Sequence, residues 1–495
     1  MFQKILIANR GEIAVRIIRT CRVMGISTAA LYSAMDRDSL HVRLADECLP
    51  VESDLRYSDS DEVLALARRC GADAIHPGYG FLAERPEFAR ACEAAGIVFI
   101  GPSSDVIAQL QNKLDAMQIA QDAGFNVPEH SEISLTKRDD DLLRSTAQAL
   151  GFPVVVKSCV GGRGRGSRVV YSPERLAESV NQARREALKV YGNDRLYLER
   201  AIAPSHYIAV QIMADKQGSL IHLGEREGSI LKNNQNLLEE SPAPCLNHEQ
   251  RPRIWQTALE IAELFDYRNV GAVEFLVDGA GKFYFTEIKA RIQVEHPVSE
   301  LVSGIDIVRE QIRIAAGYPL SVTQQKDVTL RGAAMQCRIN AEDPWNNYLP
   351  SPGRLEQFRL PAAPNIRVDT YGYAGYRVPV RYDSLLANLV AWGSERDECI
   401  IRLQQALDEF AVRGVRTNIP LHLGILNSPA FQDGLYDTGL MGRIRLGGAD
   451  LDERTRSDLA VAAAVAYVLR NQAGRPTQPE RTLGGWHRSS RQLPT

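Results

Sequence analysis

The sequence predicts an α/β protein of mixed (α+β) type, in which a doubly wound N-terminal part precedes a largely antiparallel sheet. In residues 1–101, short apolar runs alternate with amphipathic stretches, which is typical of a parallel sheet with helices on both faces. From about Tyr207 onward, strand-like segments are joined by short turns such as residues 278–281, which favours antiparallel hairpins. The 495 residues, 44% of them hydrophobic, suffice for roughly two to four domains with buried cores.

The composition argues against several classes of function. The formal net charge is −3, from 58 basic and 61 acidic residues, so no overall field favours nucleic acid or an anionic membrane as a partner. The eight cysteines contain no CxxC pair, which indicates reduced thiols rather than a disulfide framework or a zinc site. The N-terminal residues lack a signal-peptide pattern, and the apolar run from Leu459 to Leu469 is too short to cross a bilayer. We therefore expect a soluble, cytoplasmic protein.

A smaller unit, which begins around residues 126–135 and is predicted to be an inserted lid, contains the first candidate site. Its segment from Val154 to Ser167 reads VVVKSCVGGRGRGS, so a strand that ends near Lys157 leads into a loop with four glycines. Glycines allow backbone N–H groups to approach phosphate oxygens, and the lysine and the loop arginines add positive charge. The pattern indicates phosphate binding, although glycine-rich turns are also common for conformational reasons alone.

Acidic residues on a predicted hairpin form the second candidate site. Glu274 and Glu287 are thirteen residues apart on its two arms, where both carboxylates can face one Mg²⁺ that carries nucleotide phosphates. The alternative is a pair of solvated carboxylates. In the next segment, RIQVEHP, Arg291 and Glu295 are predicted to point the same way from a strand, so that the arginine holds a small anion and the glutamate removes its proton. The alternative there is a surface ion pair.

Longer motifs occur in order along residues 1 to about 445. They are IANRGEIAVRIIRTC, HPGYGFLAE, FIGPS, GERE followed by LLEESPAP, RIQVEHPVSELVSGIDIVREQIRIAAG, CRINAEDP followed by LPSPG, RYDSLLANLVAWG and GVRTNIP. With these motifs the chain resembles the biotin carboxylases. The resemblance implies an ATP-grasp fold with an N-terminal domain at 1–112, an ATP-grasp domain at 113–318 that includes a mobile lid at 128–204, and a mainly antiparallel C-terminal domain at 319–446. Residues 447–495 are expected to be a polar tail with one helix.

The resemblance also implies a reaction, in which ATP activates bicarbonate as carboxyphosphate and the carboxyl group passes to N1 of biotin on a carrier protein. It implies Glu295 as the base that deprotonates bicarbonate, Arg338 as the group that stabilises the biotin enolate, and Arg291 as a bicarbonate ligand. The remaining implied contacts are Gln293 and the backbone of Val294 with bicarbonate, Tyr79 and Gly80 with biotin, Glu274 and Glu287 with Mg²⁺ or Mn²⁺, and Lys113, Lys157, Gly161, Gly162, Gly164, Gly166, Glu199 and Leu276 with ATP.

The resemblance implies partners as well. The tail segment DLAVAAAVAYVL is similar to the region that follows the carboxylase core in the large subunits of acyl-CoA carboxylases, and no biotin-attachment motif (Met-Lys-Met) occurs. The biotinyl carrier is therefore expected to be a separate chain, together with a carboxyltransferase subunit, as in acetyl-CoA carboxylase. A homodimer is also implied.

Several residues differ from the family pattern at positions that contact nucleotide or bicarbonate. Asn236 replaces a lysine, Lys289 an asparagine that binds a second metal, and Tyr207 a histidine for which the neighbouring His206 is a candidate substitute; the other differences are Ala209, Leu231, Asn234 and Arg163. Each lost donor is expected to lower the rate by about 10²- to 10³-fold. Two alternatives therefore remain: an ATP-dependent carboxylase or ligase for another nucleophile, and a catalytically impaired partner subunit.

Overall fold

The computed structural model of the chain describes residues 1–52, 56–131, 140–161, 167–232, 235–444 and 453–473. It divides the chain into two compact units, residues 1–444 and 445–495. All the predicted site residues lie in the first unit, although Gly162, Gly164 and Gly166, together with Arg163 and Asn234, fall outside the described residues.

The N-terminal part is a five-stranded parallel sheet in the order β3-β2-β1-β4-β5, which confirms the predicted doubly wound arrangement. Its strands are short apolar runs because helices cover both faces. The elements are β1 (Lys4–Ile7), α1 (Gly11–Val23), β2 (Ser27–Tyr32), α2 (Leu40–Leu44), β3 (Glu47–Pro50), α3 (Ser60–Cys70), β4 (Ala74–His76), α4 (Pro86–Ala94), β5 (Val98–Phe99), α5 (Ser104–Gln111) and α6 (Lys113–Asp122).

The smaller unit is a three-stranded antiparallel sheet in the order β7-β6-β8, packed against two helices. Its elements are α7 (Asp140–Leu150), β6 (Val154–Ser158), β7 (Arg168–Val170), α8 (Leu176–Tyr191) and β8 (Leu196–Arg200). Alternate residues of β6, Val154 and Val156, are fully buried in a separate apolar core with Leu176 and Leu198. The unit therefore has its own apolar core, and its role as a lid stays a prediction.

The largest sheet has eight antiparallel strands in the order β13-β12-β9-β10-β11-β14-β21-β19. Its strands from the ATP-grasp region are β9 (Ser205–Ala214), β10 (Leu220–Lys232), β11 (Gln235–Ser241), β12 (Asn269–Asp278) and β13 (Phe283–Lys289), with helices α9 (Gln250–Leu264), α10 (His296–Ser303) and α11 (Ile307–Ala315). The predicted hairpin is confirmed, since β12 and β13 pair with Glu274 directly opposite Glu287.

The C-terminal region extends the same sheet through β14, β21 and β19. Its elements are β14 (Ala333–Asn340), β15 (Glu342–Asp343), β16 (Leu349–Pro350), β17 (Gly353–Arg354), β18 (Gln357–Arg359), β19 (Ile366–Thr370), β20 (Arg377–Val378), β21 (Leu385–Gly393), α12 (Arg396–Glu409), β22 (Ala411–Arg413), α13 (Ile419–Leu426), α14 (Pro429–Gln432) and α15 (Leu440–Arg443). Because β14 pairs with β11, one sheet continues across the division at 318/319, and the domain boundaries stay predictions.

The eight-stranded sheet has two chemically different faces. Successive residues of a strand point to opposite faces, so Tyr207 of β9 and Arg226 of β10 lie on one face, and His206 and Glu227 on the other. We call the first the front face, against which α10 packs, because Ser299 of that helix contacts Arg226. The second is the back face, against which α9 packs.

The second unit contains the helix α16 (Glu453–Ala473). Among the described residues, no helix combines the length and the apolar character needed to span a bilayer.

Candidate active site

Two carboxylates, Glu274 and Glu287, lie side by side on the front face; the Glu274 side chain is buried and that of Glu287 is 19% exposed. Glu274 is on β12 and Glu287 is opposite it on β13, so the hairpin register alone brings the two side chains together. Burial raises the pKa of Glu274 to about 7. Burial also acts to raise the pKa of Glu287, but the charges of Lys113 and Lys289 outweigh it and lower that pKa. The pair is an oxygen-rich site of the kind that Mg²⁺ prefers.

The ammonium groups of Lys113 and Lys289 form ion pairs with these carboxylates. Lys289 Nζ lies 2.8 Å from Glu287 Oε1 and 3.8 Å from Glu274 Oε2, and Lys113 Nζ lies 3.3 Å from Glu287 Oε2. Burial lowers the pKa of Lys113, whereas the pKa of Lys289 is raised because the two carboxylates outweigh the cost of burial. The donor set fits one Mg²⁺, and the Lys289 ammonium lies beside both carboxylates.

A buried polar network connects Glu274 to the front face. Tyr207 Oη donates a short hydrogen bond to Glu274 Oε2, and Gln293 Nε2 donates to Glu274 Oε1 at 2.6 Å. The amide oxygen of Gln293 in turn accepts a short hydrogen bond from Arg226. Arg226 is completely buried and also donates to Glu239 Oε1 at 2.7 Å. The network fixes the orientation of the Gln293 amide, because both ends of that amide have partners.

The predicted acid–base residue Glu295 is paired with Arg338. Glu295 is 4% exposed and precedes the first residue of α10, and its carboxylate accepts a short hydrogen bond from Arg338 Nη2 of β14. The prediction that Arg291 and Glu295 point the same way from a strand is wrong, because residues 290–295 form a loop between β13 and α10. Each side chain has a different partner.

Arg291 pairs with Glu84, a residue of the N-terminal part. Arg291 Nε lies 2.9 Å from Glu84 Oε2, and its Nη1 donates to the Ile292 carbonyl at 3.0 Å. Although burial disfavours both charged forms, the pair raises the pKa of Arg291 and lowers that of Glu84. Val294 lies between the two ion pairs in sequence, and its carbonyl accepts from Gln336 Nε2 at 3.3 Å.

In the smaller unit, the structure joins two predicted nucleotide-binding side chains to each other. Lys157 Nζ lies 2.8 and 2.9 Å from the two carboxylate oxygens of Glu199, which is 1% exposed on the neighbouring strand β8. Gly161 follows with a φ of +89°, a conformation that favours glycine. Leu276 is half-buried on β12, on the same face as Glu274 and directly opposite Tyr207 of β9.

The residues assigned to biotin lie at the carboxyl end of β4, in the N-terminal sheet. The side chain of Asn9 donates to the Tyr79 carbonyl at 2.9 Å, and Gly80 follows with a φ of +69°. Ligands of doubly wound sheets bind at this edge, where the strand order reverses between β1 and β4. No contact in the described part of the chain tests these two assignments, and they stay predictions.

The substituted positions have partners of their own. Asn236 Nδ2 donates to Glu239 Oε2 at 2.5 Å, so this amide joins the Arg226 network. Leu231 lies opposite Asn236 in the β10–β11 pair. The prediction that His206 substitutes for the family histidine is wrong, because His206 lies on the back face, where its Nδ1 is 2.7 Å from Glu227 Oε1. Tyr207 occupies the front-face position instead.

Two residues of the site, Glu84 and Arg226, were missed in the sequence analysis. Both lie inside the motifs HPGYGFLAE and GERE; in the structure Arg226 is fully buried and Glu84 is partly exposed. The signal available in the sequence was their place in these motifs, since a charged group that is buried needs a partner. The partner itself could not be read from the sequence.

Family comparisons cover most of the chain. The model "Biotin carboxylase, N-terminal domain" matches residues 1–107, "Carbamoyl-phosphate synthase L chain, ATP binding domain" matches residues 112–323, and "Biotin carboxylase C-terminal domain" matches residues 336–443. The three matches follow one another in the order of the predicted domains.

Curated relatives are similar to this chain over most of its length. Biotin carboxylase 1 of Bacillus subtilis is 42% identical over 442 residues, which is 88% of this chain and 98% of the relative. The propionyl-CoA carboxylase alpha chain of Ruegeria pomeroyi is 39% identical over 516 residues, which is 98% of this chain and 75% of the relative. The second alignment therefore reaches into the tail.

Solved structures share the fold. The biotin carboxylase domain dimer of 2-oxoglutarate carboxylase from Hydrogenobacter thermophilus, solved with MgADP, ADP and bicarbonate, superimposes with a TM-score of 0.87 at 40% identity. The match covers 90% of this chain and 98% of that domain.

Proposed function

This chain belongs to the biotin carboxylase family, and we propose that it catalyses the ATP- and bicarbonate-dependent carboxylation of biotin on a separate carrier protein. The observation that carries the proposal is the ion pair between buried Glu295, at the start of α10, and partly exposed Arg338. It places a proton acceptor directly beside a fixed positive charge, as deprotonation of bicarbonate and stabilisation of a biotin enolate require.

The neighbouring residues are suited to hold bicarbonate. Glu84 and the Ile292 carbonyl engage Nε and Nη1 of Arg291, which orients the guanidinium as a fixed cation. Gln293 is oriented by Arg226 and Glu274, and the backbone N–H of Val294 completes the proposed anion site. Because these groups are positioned before substrate binds, little reorganisation is needed to bind the anion.

The proposed nucleotide site lies between the lid and the carboxylate pair. Lys113 and Lys157 would contact phosphates, Gly161 with Gly162, Gly164 and Gly166 would offer backbone N–H groups, and Glu199 and Leu276 would contact the rest of the nucleotide. A Mg²⁺ held by Glu274 and Glu287 would neutralise phosphate charge. Lys157 would exchange at least part of its contact with Glu199 for phosphate.

We also propose the assembly that the relatives suggest. The solved relative is a dimer, which supports a homodimer for this chain. The carrier and the carboxyltransferase would be separate subunits. Within the described chain all eight cysteines are unpaired, which supports a cytoplasmic location.

The function is tested by measuring ADP release from MgATP with and without bicarbonate and free biotin. We expect ADP release that requires both, and a loss of about 10²- to 10⁴-fold for Glu295→Ala, because the base is removed. Glu263→Ala, at an exposed position of α9, is the matched control.

Two other outcomes would contradict the proposal in different ways. ADP release that requires bicarbonate but does not depend on biotin would indicate that the carboxyl group passes to another acceptor. The presence of Arg338 argues against that outcome. Absence of turnover in the wild-type chain would indicate a partner subunit with an impaired site.

A further inference from the structure

The back face of the eight-stranded sheet brings together three side chains that can bind a metal: His206, Glu227 and Cys245. One ligand atom from each lies within 4.8 Å of the other two. The three come from β9, from β10 and from the segment between β11 and α9, so only the tertiary fold assembles them. In the described residues, no other group of three or more histidine, cysteine or acidic side chains meets this distance.

This cluster is distinct from the active site, although it uses the same two strands. His206 and Glu227 point to the back face, while their chain neighbours Tyr207 and Arg226 point to the front face and contact Glu274 and Gln293. Side chains on opposite faces of a sheet cannot share a ligand. A metal on the back face would therefore be additional to any Mg²⁺ on the front face.

Hydrogen bonds connect the side chains of the cluster. Glu227 has no exposed side-chain surface; its Oε1 is 2.7 Å from His206 Nδ1 and also accepts from Ser229 Oγ at 2.7 Å. The backbone N–H of Cys245 donates to Glu227 Oε2 at 3.4 Å. His206 remains 21% exposed, so an ion can approach from solvent.

The charges around the cluster favour a cation. Two carboxylates, Glu225 and Glu227, lie close enough to act on the Cys245 thiol. Arg251 pairs with Glu225 at 2.7 Å, which leaves the charge of Glu227 for the cluster itself. His206 and Glu227 could form an imidazolium–carboxylate ion pair on their own, and the Cys245 thiol would not take part in it. A divalent cation would instead be bound by all three side chains.

The donor types identify the class of ion. Imidazole nitrogen, thiolate sulfur and carboxylate oxygen together are a ligand set of Zn²⁺, whereas Mg²⁺ and Ca²⁺ take oxygen ligands. Tetrahedral Zn²⁺ with bonds of about 2.0–2.3 Å separates its ligands by roughly 3.3–3.8 Å. Atoms already within 4.8 Å need only small side-chain rotations to reach that separation. We propose that His206, Glu227 and Cys245 bind one Zn²⁺, with a fourth position open to water.

The proposal is tested with Co²⁺ as a spectroscopic substitute for Zn²⁺, added to the chelator-treated, full-length protein. We expect a thiolate-to-cobalt charge-transfer band that saturates at one Co²⁺ per chain and is removed by added Zn²⁺. Co²⁺ bound at Glu274 and Glu287 has no sulfur ligand and gives no such band, so the readout is specific to the back face. Cys245→Ser should abolish the band, and His206→Ala should weaken binding by about 100-fold or more.

Cys48→Ser is the matched control, because Cys48 and Cys245 are the two partly exposed cysteines and the remaining six are buried. This variant should keep the band and the affinity. No band in the wild-type protein, a band that survives in Cys245→Ser, or unchanged affinity in His206→Ala would each overturn the proposal. Circular dichroism of each variant separates loss of a ligand from loss of the fold, and isothermal titration of Zn²⁺ into Cys245→Ser gives a second measurement that does not depend on cobalt.

Discussion

At the scale of single residues, Lys289 changes the electrostatics of the carboxylate pair. Its ammonium contacts Glu287 at 2.8 Å and supplies a permanent positive charge where the family resemblance places an asparagine that binds a second metal. A charge within about 4 Å repels an incoming cation by several kcal/mol at an effective dielectric constant of about 20. We propose that the site binds one Mg²⁺ beside this lysine.

The substitution Lys289→Asn tests this interpretation. The wild-type chain should reach full rate once ATP is saturated with Mg²⁺, whereas the variant should need further free Mg²⁺, with a half-saturating concentration at least about tenfold higher, because a second ion must replace the ammonium. The measurement is ADP release against free Mg²⁺ at fixed MgATP. Lys216→Asn, at an exposed turn, is the control, and identical Mg²⁺ profiles for Lys289→Asn and wild type would rule the interpretation out.

At the scale of elements, β10 carries the residue that organises the front face. Arg226 donates to Glu239 of β11, Gln211 of β9, Ser299 of α10 and the loop residue Gln293, so a single side chain joins four elements. A planar guanidinium can serve these partners at once, and a lysine cannot. Arg226 is therefore a positioning residue for Gln293.

Replacement of Arg226 should separate positioning from folding. Arg226→Met should lower the free energy of unfolding by about 3–5 kcal/mol, because it leaves buried Glu239 without its partner. Arg226→Lys keeps the positive charge but loses the planar set of guanidinium N–H donors. This variant should raise the KM for bicarbonate more than it lowers kcat. Steady-state kinetics and thermal unfolding check both expectations. Arg253→Lys, at an exposed position of α9, is the control. Equal changes in kcat and KM would assign Arg226 a structural role alone.

At the scale of the whole molecule, α1 of the N-terminal part packs on β19 and β21 of the C-terminal region. Val15 of this helix lies in one apolar cluster with Tyr371 and Leu386. Glu12, in the first turn, is buried at the same junction, and its Oε1 has no hydrogen-bond partner in the described residues. Burial, with Asp383 nearby, raises the pKa of Glu12 from 4.5 to about 7.

This shift makes the junction sensitive to pH. Because the pKa of Glu12 is higher in the folded chain than in the unfolded chain, folding favours the protonated carboxyl. Its contribution to the free energy of unfolding is complete below pH 4.5 and is lost as the pH rises through about 7. Glu12→Gln should remove this dependence. The difference in unfolding free energy between wild type and variant should then change by up to about 3 kcal/mol between pH 4.5 and 7. Denaturant titrations at several pH values measure this difference in unfolding free energy. Glu87→Gln, at an exposed position of α4, is the control, and a difference that does not change with pH would refute the expectation.

The sequence by itself determined the N-terminal parallel sheet and the acidic hairpin. Alternating apolar runs predicted the parallel sheet, and a short turn between two period-two segments predicted the hairpin that sets Glu274 opposite Glu287. Local spacing sufficed in both cases, because a strand's period and a tight turn fix which side chains meet. The long motifs added the family and, through it, the expected roles of Glu295 and Arg338.

Only the tertiary structure decided which elements meet and how the loops turn. The loop at residues 290–295 has no period, so its sequence could not show that Arg291 turns to Glu84 and Glu295 to Arg338. For the same reason, the scattered cysteines argued against a zinc site, while the sheet brings Cys245 to His206 and Glu227. Sequence periodicity specifies the face of an element, but contacts between distant elements depend on how their buried surfaces pack.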